Sequence, residues 1–277
     1  MAHHHLQQSA FLSLDALYCS EEHLEEELRV DFFQQEDELA EQSYYIVHES
    51  KSSPPILLQQ DLFWEDDELV SLLSKENQNE RNKTLQTNPS LARARREAVE
   101  WMLKVIGHYS FNALTATLAV DYLDRFLCSL SCQIEKPWMT QLTAVACLSL
   151  AAKVEETQVP FLLELQVEES KYVFEAKTIK RMELLVLSTL QWKMNPVTPL
   201  SFLDYFIRRL GFKDHLCLEF LKRCEGVLLS VISDSRLISL LPSVIATATM
   251  LLVINSIEPC LQEEYKNQLL GILRIDK

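Results

Sequence analysis

Residues 142–152 read LTAVACLSLAA, and none of their side chains carries a charge. A helix whose side chains are small or apolar on every side has no face that prefers water, so other helices must surround it. Pro137 lies just before this stretch, at a position that suits the first turn of a helix, where its missing N–H costs no hydrogen bond. The stretch therefore predicts a central helix inside a helical bundle.

Helical spacing continues on both sides of this central helix. Ala98, Trp101, Met102, Val105 and Tyr109 recur at intervals of three and four residues, which marks one face of a helix that ends near Tyr109. We also predict helices over residues 112–130, 137–152 and 174–190, with a short helix over 161–165. Because no stretch shows the alternation typical of strands, the predicted fold class is all-α.

A related pattern begins after Pro196 and Pro199. Helices are predicted over residues 200–210, 216–232, 243–254 and 265–273, and Pro242 opens the third of them as Pro137 opens the central helix of the first set. We interpret this as two tandem helical bundles over residues 91–195 and 196–277, the second without its last helix. A short helix with Asp61 as its N-cap is predicted to end near Lys75, and residues 76–90 are predicted to form a linker.

The N-terminal segment differs from the rest of the chain in charge. Residues 1–60 contain 12 acidic and two basic residues of a chain whose net charge is −14. We predict that this segment is disordered, because it is polar and carries a large excess of negative charge. The acidic balance also argues against DNA or an anionic membrane as a partner, since both require basic patches.

Composition excludes several classes of enzyme and site. The four glycines are scattered, so no phosphate-binding loop of clustered glycines exists. The seven cysteines are odd in number and several lie in apolar helical patterns, which favours reduced thiols over disulfides. We predict no metal, no cofactor and no membrane span, and the scattered histidines match no arrangement of nucleophile and base.

Leu17, Cys19 and Glu21 form a candidate recognition motif. In an extended chain, residues two apart point to the same side, so these three could enter one groove together. Burying the leucine would contribute about 1.5–3 kcal/mol. The alternative is a chance occurrence of three residues in an acidic segment.

Charged residues inside the helical patterns have ordinary structural explanations. Lys153 ends the central helix, where a cation favours the negative end of the helix dipole, and Glu183 lies in a charged insert that can face solvent. Arg95 and Asp124, on the first and second helices, are predicted to form a salt bridge that holds the fold.

Taken together, these strings resemble the cyclin box in their order and spacing. They are residues 95–102 (RREAVEWM), 122–126 (YLDRF), 148–156 (LSLAAKVEE) and 181–183 (RME). The motif at Leu17 resembles the D-type subclass. Residues 59–64 (QQDLFW), 136–139 (KPWM) and 167–177 (VEESKYVFEAK) are similar to plant D-type cyclins of the third subgroup.

The resemblance implies a role for each candidate residue. Lys153, Glu183 and Glu156 would bind the kinase near its C-helix, and Arg95 with Asp124 would join the first two helices. Trp101, Gln141 and Ala98 would line a surface groove that docks peptides with an Arg-x-Leu motif. Leu17, Cys19 and Glu21 would bind a retinoblastoma-related protein.

The resemblance also implies a function. The expected function is that of a non-catalytic regulatory subunit that activates an A-type cyclin-dependent kinase, recruits a retinoblastoma-related protein and promotes the G1/S transition. Kinase-inhibitor proteins are further expected partners, and the expected location is the nucleus, extending to the cytoplasm. The alternatives are a double-cyclin-fold transcription factor and a cyclin of a transcriptional kinase. A helical enzyme is a third and more distant alternative.

Overall fold

The computed structural model describes residues 63–77, 88–129, 136–166, 171–210, 214–256 and 259–272. Within these ranges every regular element is a helix, as the sequence predicts. The predicted motif at Leu17, Cys19 and Glu21, the disordered N-terminal segment and the N-cap at Asp61 lie outside the described residues.

Among the described residues, the first helical bundle contains four α-helices and a short 3₁₀ helix. They are α2 (Pro89–Tyr109), α3 (Ala113–Ser129), α4 (Pro137–Glu155), a 3₁₀ helix (Glu164–Gln166) and α5 (Ala176–Thr189). Helix α2 begins at Pro89 because the Asn88 side chain accepts hydrogen bonds from the N–H groups of Ser90 and Leu91. It ends at Tyr109, and the C-cap residue Ser110, with a positive φ of 56°, closes the last turn.

Helix α4 is the centre of this bundle. Every residue from 142 to 152 is buried, and the helix packs against α2, α3 and α5. The prediction that an uncharged helix must be surrounded by other helices is thus confirmed. Lys153 is the first exposed residue after the buried run, so the charge appears where the helix emerges from the bundle.

The second bundle consists of α6 (Pro199–Leu210), α7 (Asp214–Val231), a 3₁₀ helix (Ser235–Ser239), α8 (Pro242–Ile254) and α9 (Pro259–Ile272). Its core is formed by the aromatic face of α6, with Phe202, Tyr205 and Phe206, packed against residues of α7 and α8 such as Cys224 and Met250. The sequence predicts the start of α9 at residue 265, but the helix begins six residues earlier, at Pro259, where proline suits the first turn.

Helix α1 (Phe63–Asn77) precedes the first bundle in sequence but packs on the second. Leu69, Leu72 and Leu73 lie against the core of the second bundle. Glu76 is 2% exposed and still belongs to α1, whereas the sequence places the linker from residue 76. The predicted helix end was wrong because Glu76 is polar and its partner, Ser243, is distant in sequence.

Candidate partner-binding site

Lys153 and Glu183 form an ion pair at the surface of the first bundle. The Lys153 Nζ donates to both carboxylate oxygens of Glu183, at 2.7 and 2.8 Å. The two side chains differ in accessibility, with 44% of Lys153 and 9% of Glu183 exposed. The pair joins the C-terminal end of α4 to the middle of α5, and Lys153 is its more exposed member.

Large apolar side chains are exposed on the elements that carry this pair. Val154, next to Lys153, is 46% exposed, and Leu184, next to Glu183, is 59% exposed. Trp192, just after the end of α5, is 67% exposed. Exposed apolar groups around a charged pair are typical of surfaces that bind another protein, where aromatic anchors contribute most of the affinity.

The turn that presents Trp192 has an unfavourable backbone conformation. Gln191 and Trp192 have φ values of 54° and 60°, and the Lys193 N–H donates to the Leu190 carbonyl at 3.1 Å. Two successive positive φ values are usual for glycine and asparagine and cost other residues about 1 kcal/mol or more each.

Side chains of α3 hold this turn in place. The Arg125 Nη1 donates to the Lys193 carbonyl at 3.0 Å, and the Tyr122 hydroxyl donates to the Met194 carbonyl. Burial raises the pKa of Tyr122 to about 12, with the Asp121 carboxylate adding to the effect, so the hydroxyl keeps its proton. Such strain at a surface tryptophan points to function. The sequence analysis did not identify Trp192 as a candidate residue. The feature that could have identified it is a large aromatic residue directly after a predicted helix.

Glu156 is engaged within the chain. One of its carboxylate oxygens, Oε1, accepts the Asn112 N–H at 2.9 Å and the Thr115 hydroxyl at 2.5 Å. These contacts place a negative charge at the N-terminal end of α3, where it interacts favourably with the helix dipole. Glu156 thus connects the end of α4 to the start of α3, and its predicted contact with a kinase stays a prediction.

Arg95 and Asp124 form a buried pair between α2 and α3. The Arg95 Nε lies 2.6 Å from Asp124 Oδ1, and Nη2 lies 2.9 Å from Oδ2. This is the bidentate geometry that a guanidinium and a carboxylate prefer. Arg95 also donates to the carbonyls of Ile232 and Ser233 in the second bundle, a contact that the sequence did not predict.

The predicted groove residues lie where α2 faces α4 and the segment before α5. Trp101 and Ala98 are each 7% exposed, and the Gln141 Nε2 donates to the Tyr172 carbonyl at 3.3 Å. The Trp101 Nε1 is buried and has no hydrogen-bond partner. A buried indole N–H without a partner is uncommon and marks a position where a bound group could accept it.

Burial makes the thiols of Cys128, Cys147 and Cys224 poor nucleophiles. The pKa of Cys128 is raised to about 12 by burial and by the nearby Asp124 carboxylate. Burial also raises the pKa of Cys224 to about 12. In the part of the chain that the structure describes, no group of three or more potential ligands could hold a metal ion. None of the helices described there is both long and apolar enough to cross a bilayer.

Comparison with protein families gives two adjacent matches. The model of the cyclin N-terminal domain matches residues 67–195, and that of the cyclin C-terminal domain matches residues 197–277. The X-ray structure of a viral cyclin from herpesvirus saimiri has a similar fold, with a TM-score of 0.61 at 18% identity, covering 75% of this chain and 93% of that one. The fold and the family matches define two tandem cyclin domains, which confirms the predicted fold class.

Plant cyclins are similar over most of the chain. Cyclin-D3-2 of Arabidopsis thaliana is 48% identical over 98% of this chain and 73% of its own length. Cyclin-D3-1 of Arabidopsis thaliana is 57% identical over 80% of this chain and 58% of its own length. Cyclin-D4-1 of Oryza sativa subsp. japonica is 52% identical over 58% of this chain and 46% of its own length. The chain thus spans about half to three quarters of the length of these relatives.

The chain therefore belongs to the cyclin family, in its plant D-type group. Members of this family are regulatory subunits and not enzymes. The D-type relatives support a regulatory role in the cell cycle for this chain.

Proposed function

We propose that this protein binds and activates an A-type cyclin-dependent kinase through the surface around Lys153 and Glu183. The observation that carries the proposal is the ion pair itself, with exposed Val154 and Leu184 on the same helices and exposed Trp192 just after α5. Such a surface offers apolar area for affinity and a fixed pair of charges for orientation.

The proposed mechanism is activation by positioning. A protein kinase needs the glutamate of its C-helix paired with a strand lysine, and that helix can lie out of place. A rigid surface that binds the inward position of the helix better shifts the equilibrium towards it. The rigidity comes from α4, whose residues 142–152 are all buried directly before Lys153. The protein itself supplies no catalytic group.

An exchange of the two charges separates binding from stability. In the double variant Lys153→Glu/Glu183→Lys an ion pair can still form within the chain, but its polarity towards a partner is reversed. We expect stimulation of the purified kinase on a generic peptide substrate to fall at least tenfold, while helicity by circular dichroism is unchanged. The matched control exchanges the exposed pair Glu219 and Arg223 on α7, and it should have no effect. Full stimulation by the first variant would contradict the proposal.

We further propose that Leu17, Cys19 and Glu21 recruit a retinoblastoma-related protein for phosphorylation. The support is the spacing of these residues and the acidic composition around them, which favours encounter with a basic rim. Holding one substrate beside the kinase raises its effective concentration without any new catalytic contact. Phosphorylation of such a target would promote the G1/S transition, and the nucleus is the proposed location.

Trp101, Ala98 and Gln141 support a third proposed contact, with Arg-x-Leu peptides of substrates or kinase-inhibitor proteins. The support is the buried Trp101 Nε1, which has no hydrogen-bond partner. Because the Nε1 atom is buried, a peptide on this surface could accept that N–H with a backbone carbonyl only after neighbouring side chains move aside. A Trp101→Phe variant keeps the apolar contact but removes the donor, so weaker binding of a labelled Arg-x-Leu peptide would support the proposal, and unchanged binding would contradict it.

A further inference from the structure

The connector between α7 and α8, residues 232–241, lies between two contacts with distant charged residues. Arg95 binds the carbonyls of its first two residues, and Glu76 binds Ser243, just beyond its last residue in the first turn of α8. None of its residues is buried, and the 3₁₀ helix within it (Ser235–Ser239) contributes nothing to the core. Because its apolar residues are only partly buried, apolar burial holds this segment weakly, and its hydrogen bonds contribute a larger share.

Arg95 of α2 holds the first end of the connector. Its Nη1 donates to the Ser233 carbonyl at 2.8 Å, and its Nη2 donates to the Ile232 carbonyl at 3.1 Å. These carbonyls follow the last residue of α7, at the negative end of that helix, where a cation is favourable. Because Arg95 is 1% exposed and also holds Asp124, its guanidinium joins α2, α3 and the end of α7.

Glu76 of α1 holds the other end. Its Oε2 accepts the Ser243 N–H at 3.0 Å, and its Oε1 accepts the Ser243 hydroxyl at 2.8 Å. The N-cap residue of α8 is Leu241, whose side chain cannot accept a hydrogen bond. A carboxylate from α1 therefore performs the N-capping that the local sequence lacks.

We propose that the contacts of Arg95 and Glu76, on either side of the connector, couple the local unfolding of α1, the first bundle and the second bundle. We call these two contacts the clasp. Each charge is almost fully buried, so breaking either contact leaves a desolvated ionic group without its partners. The connector runs directly from the carbonyls that Arg95 binds to the turn of α8 that Glu76 caps, so a disturbance at one contact can reach the other. This coupling is a property of the chain alone and does not rest on the proposed kinase contact.

Hydrogen exchange followed by mass spectrometry on the full chain tests the coupling. The variants are Glu76→Gln and Arg95→Lys, which keep the size of each side chain, with Glu219→Gln on the exposed face of α7 as the matched control. Each of the first two should speed exchange about tenfold in α1, in the end of α7 and in the first turn of α8, since hydrogen bonds to charged groups are the strong ones. Exchange that rises only at the altered end would overturn the proposal, and circular dichroism verifies that each variant is folded.

A second substitution separates the capping of α8 from the attachment of α1. Leu241→Asp places a carboxylate at the N-cap itself, where it can accept the Ser243 N–H. Added to Glu76→Gln, it should restore slow exchange in the first turn of α8 while α1 continues to exchange fast. Recovery of slow exchange in α1 as well would show that the carboxylate of Glu76 serves α8 alone, and the clasp would be wrong.

Discussion

Glu183 is nearly buried in α5, and its carboxylate is held by the half-exposed Lys153 at the end of α4, 2.7 Å away. The pair therefore has two roles that can be measured separately. The nearly buried carboxylate of Glu183 stabilises the packing of α4 on α5. The half-exposed Lys153 determines the sign of the charge that the proposed kinase surface presents.

Loss of the lysine should destabilise the fold more than neutralisation of the glutamate. In Lys153→Ala the carboxylate of Glu183 keeps its charge in a nearly buried position without its partner, which costs about 1–3 kcal/mol of unfolding free energy. In Glu183→Gln the uncompensated charge is absent, so the cost should be smaller. Urea unfolding followed by circular dichroism measures both.

The control for this comparison is Lys171→Ala. The Lys171 side chain is 79% exposed and lies 3.7 Å from a carboxylate oxygen of Glu97, so its loss should change the free energy of unfolding by less than about 0.5 kcal/mol. Equal effects at Lys153 and Lys171 would show that the buried position of Glu183 does not matter.

Glycine at the strained turn should separate stability from function. Trp192→Gly and Gln191→Gly each relieve a positive φ and should raise the free energy of unfolding by up to about 1 kcal/mol, after the entropic cost of glycine is subtracted. If Trp192 anchors the kinase, Trp192→Gly should also reduce kinase stimulation, whereas Gln191→Gly should not. Thermal unfolding and the kinase assay provide the two readouts.

Ser110→Gly provides the control for the turn. Ser110 also has a positive φ of 56°, but it closes α2 and lies outside the proposed kinase surface. The Ser110→Gly substitution should raise the free energy of unfolding by a similar amount and leave kinase stimulation unchanged. A loss of stimulation in all three glycine variants would indicate a general effect on the first bundle and not a contact made by Trp192.

The sequence predicts the helices well where a local signal determines them. Pro137, Pro199 and Pro242 each start a helix, and the uncharged run before Lys153 identifies the central one. These signals succeed because the first turn of a helix tolerates proline and because an uncharged helix needs neighbours on all sides. The predicted Arg95–Asp124 salt bridge is also present in the structure.

Long-range contacts were not predictable in the same way. Glu76 reads as part of a polar linker because its partner, Ser243, is 167 residues away. Lys153 and Glu183 each have an ordinary local explanation, and nothing in their spacing of 30 residues indicates that they pair with each other. Trp192 has a positive φ, which tryptophan does not favour, so the conformational preferences of its residue type do not predict this turn.

Alkaline pH should destabilise the chain through its buried thiols. The pKa of Cys224 is raised by burial to about 12 in the folded chain, whereas an unfolded cysteine titrates near 8.5. Between these values the unfolded chain releases its proton first, so unfolding becomes more favourable as the pH rises. The stabilising contribution is complete below about pH 8.5 and is lost towards pH 12, by up to about 1.4 kcal/mol for each pH unit.

The measurement compares the native chain with Cys224→Ala. Unfolding free energies are determined in urea at pH 8 and at pH 10. The native chain should lose more stability over this interval than the variant, even though the variant is less stable at pH 8 because of the lost side-chain volume. Equal losses of unfolding free energy in the two chains would show that groups other than Cys224 cause the destabilisation at alkaline pH.

Substitution of Leu17, Cys19 and Glu21 by alanine should abolish recruitment without affecting activation. The three residues are separate in sequence from the helices that carry Lys153 and Glu183, so the stability of the bundles gives no reason for kinase stimulation on a generic peptide to change. Binding of a purified retinoblastoma-related protein should fall at least tenfold, because the leucine alone contributes about 1.5–3 kcal/mol when buried. The matched control replaces Glu25, Glu26 and Glu27 by alanine, which removes more negative charge but leaves the motif intact. If this control weakens binding as much as the motif variant does, general attraction by the acidic segment explains recruitment, and the spacing of Leu17, Cys19 and Glu21 has no specific role.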